Sequence, residues 1–137
     1  MHIALIEPEI PQNTGNISRT CVMTGSTLHL VGKLGFSIED RYLRRAGLHY
    51  WPYLTFYLYP DFGSLFEKYR EHQFYFFTTK AQRPYTEISY TNDDFLVFGK
   101  ETAGLPPQIL QNRQGSCLRM PMAPSSITCS PVEMRLK

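Results

Sequence analysis

Short apolar runs alternate with amphipathic stretches along this chain of 137 residues. The apolar runs predict buried strands at His2–Ile6, Thr27–Val31, Leu54–Tyr59, Gln73–Thr79, Phe95–Gly99 and Cys117–Met122. Helical spacing and capping signals predict helices over Thr14–Thr24, over Asp61–Tyr69, and from Pro106 or Pro107 to Leu110. Ser37 and Asp40 resemble a capping box that opens a further short helix through Leu43 to Ala46. This alternation predicts an α/β fold with a mainly parallel sheet flanked by helices.

The composition is typical of one globular domain that spans residues 1–137. The chain has 42% hydrophobic and 19% charged residues, which excludes an intrinsically disordered protein. Its formal net charge is only +2, so a surface for nucleic acid would have to come from local clustering of basic residues.

Cysteine and histidine spacing argues against a metal site. The three cysteines form no CxxC pair: Cys21, Cys117 and Cys129. The four histidines form no spaced pair with carboxylates: His2, His29, His49 and His72. We therefore expect no metal and no catalytic triad, and we expect Cys21 to be a small core residue. The chain has no signal peptide and no apolar run that could span a membrane, which predicts a cytoplasmic protein.

The segment after the first predicted strand, residues 8–20, leads directly into a helix. The free N–H groups at a helix N-terminus suit an anion such as an RNA phosphate. Asn13, Asn16 and Arg19 recur at every third residue, so Asn16 and Arg19 share the rim of the first helical turns. The alternative is a proline-rich turn in which Asn13 caps the helix and Arg19 is solvated.

Two further segments follow predicted strands. Gly99 and Gly104 flank a loop that would let the backbone approach a flat ligand closely, although the loop matches neither GxGxxG nor a Walker motif. Thr78 and Lys80 follow the aromatic strand, where Lys80 would ordinarily be solvated. An ordinary strand-to-helix loop with glycine caps is the alternative interpretation of the segment at Gly99 and Gly104.

A locally basic stretch follows the second strand. Five basic or titratable residues lie close together: Lys33, Arg41, Arg44, Arg45 and His49. The three arginines share one helix face that could bind phosphates, or that could equally be a solvated surface. The aromatic residues that follow could stack on bases, or could form core or an oligomer interface: Tyr50, Trp51, Tyr53, Phe56, Tyr57 and Tyr59.

Five segments, in this order, resemble one family. They are EPEIPQNTGNISR (7–19), LRRAGL (43–48), TTK (78–80), FGKETAGLP (98–106) and RMPM (119–122). Together they resemble the TrmL (YibK-like) tRNA ribose 2′-O-methyltransferases of the SPOUT class. The resemblance runs from residue 1 to about residue 122.

The resemblance implies an α/β fold with a C-terminal trefoil knot, a homodimer, and S-adenosyl-L-methionine as cofactor. It implies that the substrate is the 2′-hydroxyl of the wobble nucleotide, cytidine or uridine, in a tRNA anticodon loop. The cofactor site would comprise Phe77, Thr78, Gly99, Glu101, Gly104 and Met120. The catalytic residues would be Arg19 and Asn16, and the RNA-binding residues Arg41, Arg44, Arg45 and Lys80. A guanidinium remains protonated, so we interpret Arg19 as a clamp for phosphate or oxyanion rather than a base.

The tail over residues 123–137 departs from the family pattern. It lacks the Ser-Met-Asn-Leu-Ser-Asn turn and the long final helix, so we expect an atypical tail and an incomplete knot as one possibility. The alternative function is a non-catalytic tRNA-binding or dimerisation module. A third interpretation, a flavodoxin-like nucleotide binder, leaves the asparagine-rich first loop unexplained.

Overall fold

A computed structural model of the chain describes residues 1–38, 41, 45, 51–111 and 113–120. In these residues one sheet is formed by β1 (His2–Ile6), β2 (Thr27–Val31), β3 (Phe56–Tyr59), β4 (Phe74–Phe77), β5 (Phe95–Phe98) and β6 (Cys117–Leu118). The described α-helices are α1 (Pro11–Thr24), α2 (Phe62–Lys68) and α3 (Pro107–Leu110). Short 3-10 turns lie at Trp51–Tyr53, Tyr85–Glu87 and Gln114–Ser116. The predicted α/β fold with a parallel sheet flanked by helices is confirmed.

The strand order is β3-β2-β1-β5-β4-β6, and every neighbouring pair is parallel. From β1 the chain moves outward through β2 to β3, then crosses over to build the other half of the sheet. As a result, α1 leads from β1 toward one side, whereas α3 leads from β5 toward the other. Neighbouring strands whose crossovers diverge in this way open a crevice at their carboxyl ends, where open α/β sheets bind ligands.

The sheet carries a hydrophobic core on each face. On one face Phe95, which is fully buried, lies in a cluster with Leu65 of α2 and Ile109 of α3. On the other face Leu28 lies in a cluster with Cys21 of α1. Burial raises the pKa of the Cys21 thiol to about 12, so the predicted core role of this cysteine is confirmed and its thiol is unreactive.

The strand predictions are confirmed most closely where polar residues or glycine end an apolar run. β1 and β2 have the predicted bounds. β3 begins at Phe56 rather than Leu54, and β4 and β5 are shorter than predicted at their ends. Of the last predicted strand, the structure describes β6 at Cys117–Leu118 and a bridge from Arg119 to Pro84.

The helix predictions are correct in place but not always in their start. α1 begins at Pro11 rather than Thr14, and its N-cap is Ile10, which provides no side-chain cap. The alternative in which Asn13 caps this helix is therefore wrong. Gly25 ends α1 with φ 71°, as predicted for a glycine cap. The predicted cap on α2 is also confirmed, because the Asp61 carboxylate accepts a hydrogen bond from the Ser64 amide at 2.8 Å.

The aromatic segment before and within β3 divides into two kinds of residue. The rings of Trp51 and Phe56 lie 5.2 Å apart and are both partly buried. Tyr53 and Tyr57 are 77% and 45% exposed. Tyr50 lies outside the described residues. The described part of the segment therefore contributes both partly buried rings and exposed ones.

Several predictions fall on residues that the structure does not describe. Arg41 and Arg45 have helical backbone and are exposed, whereas most of the helix predicted from the Ser37 cap to Ala46 lies outside the described residues, namely 39, 40, 42–44 and 46. Also outside the described residues lie His49, Cys129 and the tail at 123–137, which would complete a knot. Within the described part of the chain, no helix combines the length and apolar character that a membrane crossing requires.

Candidate active site

Four connecting segments meet where β1, β5, β4 and β6 end, because these strands are parallel neighbours in the sheet. We call them the carboxyl edge, defined as residues 7–11, 77–81, 99–106 and 119–120. All six residues predicted for the cofactor lie in these segments: Phe77, Thr78, Gly99, Glu101, Gly104 and Met120. The sheet therefore brings them to one edge although they span more than forty positions in the sequence.

Aromatic packing supports the floor of this edge. Phe77 at the end of β4 and Phe98 at the end of β5 are buried, and their rings stack at 4.7 Å. Met120 packs against the same cluster and is partly buried. The Thr78 amide donates to the Leu118 carbonyl at 3.0 Å, so the ends of β4 and β6 stay joined beyond their ladder.

The loop after β5 is folded tightly on itself. A Cβ on Gly99 would overlap the carbonyl carbon of Gly104 and the Leu105 nitrogen, so only glycine fits there. Gly104 has φ 70°, and its amide donates to the Lys100 carbonyl at 2.8 Å. Nothing lies within 4 Å of the position of a Cβ on Gly104, which leaves open space on that side of the loop. On that side the loop thus exposes backbone rather than a side chain.

Two carboxylates join this loop to the loop after β1. One oxygen of Glu101 accepts hydrogen bonds from the amides of Glu9 and Ile10, each at 2.9 Å. One oxygen of Glu9 accepts from the hydroxyl of Thr102 at 2.7 Å and from its amide at 3.1 Å. These bonds from Thr102, hydroxyl first, hold the pKa of Glu9 below its usual value. Neither Glu9 nor Thr102 was predicted as a site residue from the sequence.

The predicted catalytic residues lie on α1, directly after this junction. Thr14, Ser18 and Cys21 form the buried side of the helix, and the Ser18 hydroxyl donates to the Thr14 carbonyl at 2.7 Å. Asn16 is partly buried, and Arg19 is exposed two turns into the helix. Asn16 and Arg19 therefore lie off the buried side of α1, the element that follows β1.

The predicted RNA-binding residues lie at two separate places. Lys80 is exposed directly after β4 and lines an open cavity of ≈ 470 Å³, together with residues of α3 and of the segment after it. Arg41 and Arg45 are exposed between β2 and β3. Arg44 lies outside the described residues.

Three histidines come together away from this edge, although no local pattern in the sequence predicts it. His2 Nδ1 lies 3.0 Å from His29 Nε2, and the His2 and His72 ring centres are 5.6 Å apart. Burial lowers the pKa of His2, and lowers the pKa of His29 to about 3. Within the described ranges no group of three or more metal-binding side chains is close enough to hold an ion.

Comparison with known proteins identifies the family. The model of the SpoU rRNA Methylase family matches residues 1–127. The chain belongs to the SpoU family. This match includes every segment of the carboxyl edge and continues a few residues into the predicted tail.

Among individual SpoU relatives, similarity is high over most of the chain. A Bacillus subtilis (strain 168) protein is 48% identical over 125 residues, covering 89% of this chain and 78% of its own length. The tRNA (cytidine(34)-2′-O)-methyltransferase of Escherichia coli (strain K12) is 40% identical over 127 residues, covering 92% of this chain and 81% of its own length. The resemblance to TrmL-like methyltransferases is confirmed.

Solved structures agree with the SpoU fold. One determined to study 2-OH methylation of C/U34 on tRNA has a TM-score of 0.89 and 34% identity, and covers 98% of this chain and 88% of that one. The SpoU methyltransferase AviRb from Streptomyces viridochromogenes, solved with the cofactor AdoMet, has a TM-score of 0.86 and 18% identity, and covers 99% of this chain and 56% of that one. The second likeness concerns the fold alone.

Proposed function

We propose that this chain is an S-adenosyl-L-methionine-dependent tRNA 2′-O-methyltransferase that acts on the ribose of nucleotide 34, cytidine or uridine. The observation that carries the proposal is the 40% identity to the Escherichia coli tRNA (cytidine(34)-2′-O)-methyltransferase over 92% of the chain. The family match over residues 1–127 includes the loops of the carboxyl edge and the helix that carries Arg19. The chain is therefore an enzyme of the RNA 2′-O-methyltransferase type.

The carboxyl edge fits S-adenosyl-L-methionine. The tight turn at Gly99 and the open space beside Gly104 provide a backbone surface against which a flat adenosine could lie. Met120 and Phe77 supply apolar packing beneath it. We propose that the cofactor is bound by Phe77, Thr78, Gly99, Glu101, Gly104 and Met120, largely through backbone groups.

The cofactor supplies an electrophilic methyl group on a sulfonium. When bound, it would supply this methyl group to the 2′-oxygen of the ribose; S-adenosylhomocysteine would be the product that leaves, and the hydroxyl proton would pass to solvent or a base. For this displacement the protein must hold oxygen, methyl and sulfur nearly in line. Arg19 would bind a phosphate or the developing oxyanion of the substrate, since its guanidinium keeps its charge, and Asn16 would orient the same nucleotide.

The RNA would be held by basic side chains. Lys80 borders the cavity beside α3, and Arg41, Arg44 and Arg45 precede β3. We include a homodimer in the proposal, because the resemblance to the family implies one. A tRNA substrate also implies work in the cytoplasm.

Two measurements on the full chain test the proposal. Calorimetry should detect S-adenosyl-L-methionine binding at micromolar concentration, and the protein should methylate a tRNA with cytidine 34 but not the same tRNA carrying a 2′-deoxy nucleotide there.

Arg19→Lys should retain tRNA binding and lose methyl transfer by about a hundredfold, because a lysine loses the bidentate geometry of the guanidinium. Full transfer by Arg19→Lys would exclude the clamp role. Binding of tRNA without cofactor binding or transfer would instead support a non-catalytic tRNA-binding module.

A further inference from the structure

At the crevice between β1 and β5, each of two loops contributes a carboxylate that binds the other loop. Glu101 binds the amides of Glu9 and Ile10, and Glu9 binds the amide and hydroxyl of Thr102. We propose that Glu9 and Thr102 are positioning residues: with Glu101 they form a reciprocal clasp that aligns the helix of Arg19 with the cofactor loop for methyl transfer. This inference rests on the proposed function.

The sheet alone does not join these two loops. The ladder between β1 and β5 ends at the pair Leu5 and Phe98. Beyond it the chain turns toward α1 on one face and toward α3 on the other. The four hydrogen bonds of the clasp span this divergence and involve two ionised acceptors, which makes them stronger than neutral hydrogen bonds.

Glu9 is fixed from behind by the loop after β2. The Gly35 amide donates to the Pro8 carbonyl at 2.9 Å, and a Cβ on Gly35 would lie 2.9 Å from the Cα of Glu9. The Glu9 backbone is therefore in direct contact with one loop while its side chain holds Thr102 in another. Three neighbouring loops are joined through this single residue.

The clasp acts at the first residue of a rigid element. Ile10 is the N-cap of α1, and its amide is one of the two bound by Glu101. At 1.5 Å rise per residue, Asn16 and Arg19 lie roughly 9 and 13 Å further along the helix axis. A shift or tilt of Ile10 relative to the loop at Gly99 would be carried to Arg19, and in-line displacement is sensitive to displacements of that size.

The engaged oxygen of Glu9 accepts both hydrogen bonds from Thr102. We therefore assign alignment, rather than contact with the reacting atoms, to this pair. Loss of the pair should lower kcat and leave the affinity for each ligand nearly unchanged, because neither ligand site loses a binding group. A purely structural role would instead lower the stability and both affinities together.

The test compares Glu9→Ala, Thr102→Val, their double variant and Thr102→Ser. We expect the first two each to lower kcat about tenfold, with the dissociation constant for S-adenosyl-L-methionine changed less than threefold. The double variant should be no slower than Glu9→Ala, because the two residues share one interaction. Thr102→Ser keeps the hydroxyl and should restore kcat to within about twofold.

Glu67→Ala is the matched control, because it also removes one exposed carboxylate, on α2 and away from the carboxyl edge. It should leave kcat unchanged. The proposal is overturned if Glu9→Ala and Thr102→Val keep wild-type kcat, if their losses multiply in the double variant, or if kcat, cofactor affinity and Tm all fall together.

Hydrogen exchange separates failure of this inference from failure of the proposed function. If the wild-type chain transfers no methyl group, the proposed function fails, but the clasp can still be measured at the Ile10 amide. Glu9→Ala leaves Glu101, the acceptor for that amide, in place. If the hydrogen bonds of Glu101 depend on those of Glu9, this variant should nevertheless speed exchange of the Ile10 amide about tenfold. Unchanged exchange at Ile10 would overturn the clasp.

Discussion

His29 makes the stability of this protein depend on pH in the range from neutral to mildly acidic. It lies in β2, is fully buried, and its Nε2 lies 3.0 Å from His2 Nδ1. The rings of Tyr59, Tyr69 and Phe95 surround it, with centres 5.0 to 5.6 Å away. Burial, and then the charges of His2 and Lys68, lower the pKa of His29 from 6.5 to about 3.

The sign and size of the effect follow from proton linkage. Between pH 3 and pH 6.5 the unfolded chain protonates His29 and the folded chain does not, so protons favour unfolding. The contribution of neutral, buried His29 to the free energy of unfolding is complete above pH 6.5. It falls as the pH decreases, by at most about 1.4 kcal/mol per pH unit. From pH 7 to pH 5 the loss from His29 is about 2 kcal/mol. The lowered pKa of His2 acts in the same direction.

Urea unfolding of the wild type and of His29→Gln at pH 5, 6, 7 and 8 measures this effect. The glutamine amide can still reach His2 but does not titrate. The stability difference at pH 8 gives the packing cost of the substitution, so only the change with pH is compared. We expect the wild type to lose about 2 kcal/mol more than the variant between pH 7 and pH 5. Equal losses in the two proteins, within about 0.5 kcal/mol, would refute the reasoning.

Two further predictions concern local backbone. Gly99→Ala should weaken S-adenosyl-L-methionine binding more than tenfold, because its Cβ would overlap Gly104, whereas Gly115→Ala, with open space at its Cβ, should bind normally in the same calorimetric titration. An unchanged affinity of Gly99→Ala would contradict the tight turn as a cofactor surface. Asp61→Ala should lower Tm by a few degrees, since α2 loses the acceptor for the Ser64 amide, and Asp61→Asn should restore most of it. The pKa of Asp61 is lowered by that bond, so the difference between wild type and Asp61→Ala should shrink as the pH falls through it; a difference that persists would contradict the capping role.

Local chemistry made much of this fold predictable. The apolar runs of β1 and β2 end abruptly, at Glu7 and at Gly32, so both strands could be placed to the residue. Asp61 and Gly25 act within one turn of their own helices, and both were predicted from the sequence. The segments of the carboxyl edge could be recognised as candidates because each directly follows a strand.

Contacts that depend on strand order could not be predicted in the same way. His2 and His29 meet because β1 and β2 are parallel neighbours in which Ala4 lies opposite His29, so the two histidines project from the same face of the sheet. Glu9 and Thr102 meet because β5, rather than β4, lies beside β1. Neither adjacency is encoded in the local sequence around these residues.

The start of α1 shows how a distant residue can replace a local signal. In a capping box, a glutamate on the helix itself binds the amide of its own N-cap. Here the N-cap is Ile10, which has no polar side chain, and its amide is bound by Glu101, ninety-one positions away. A helix whose N-terminus is held from another loop keeps its orientation only while that loop is in place. The first turn of α1 and the loop after β5 are therefore joined by hydrogen bonds. The local signal for the true start is Pro11 itself, a proline at the first helical position, and the prediction of Thr14 overlooked it.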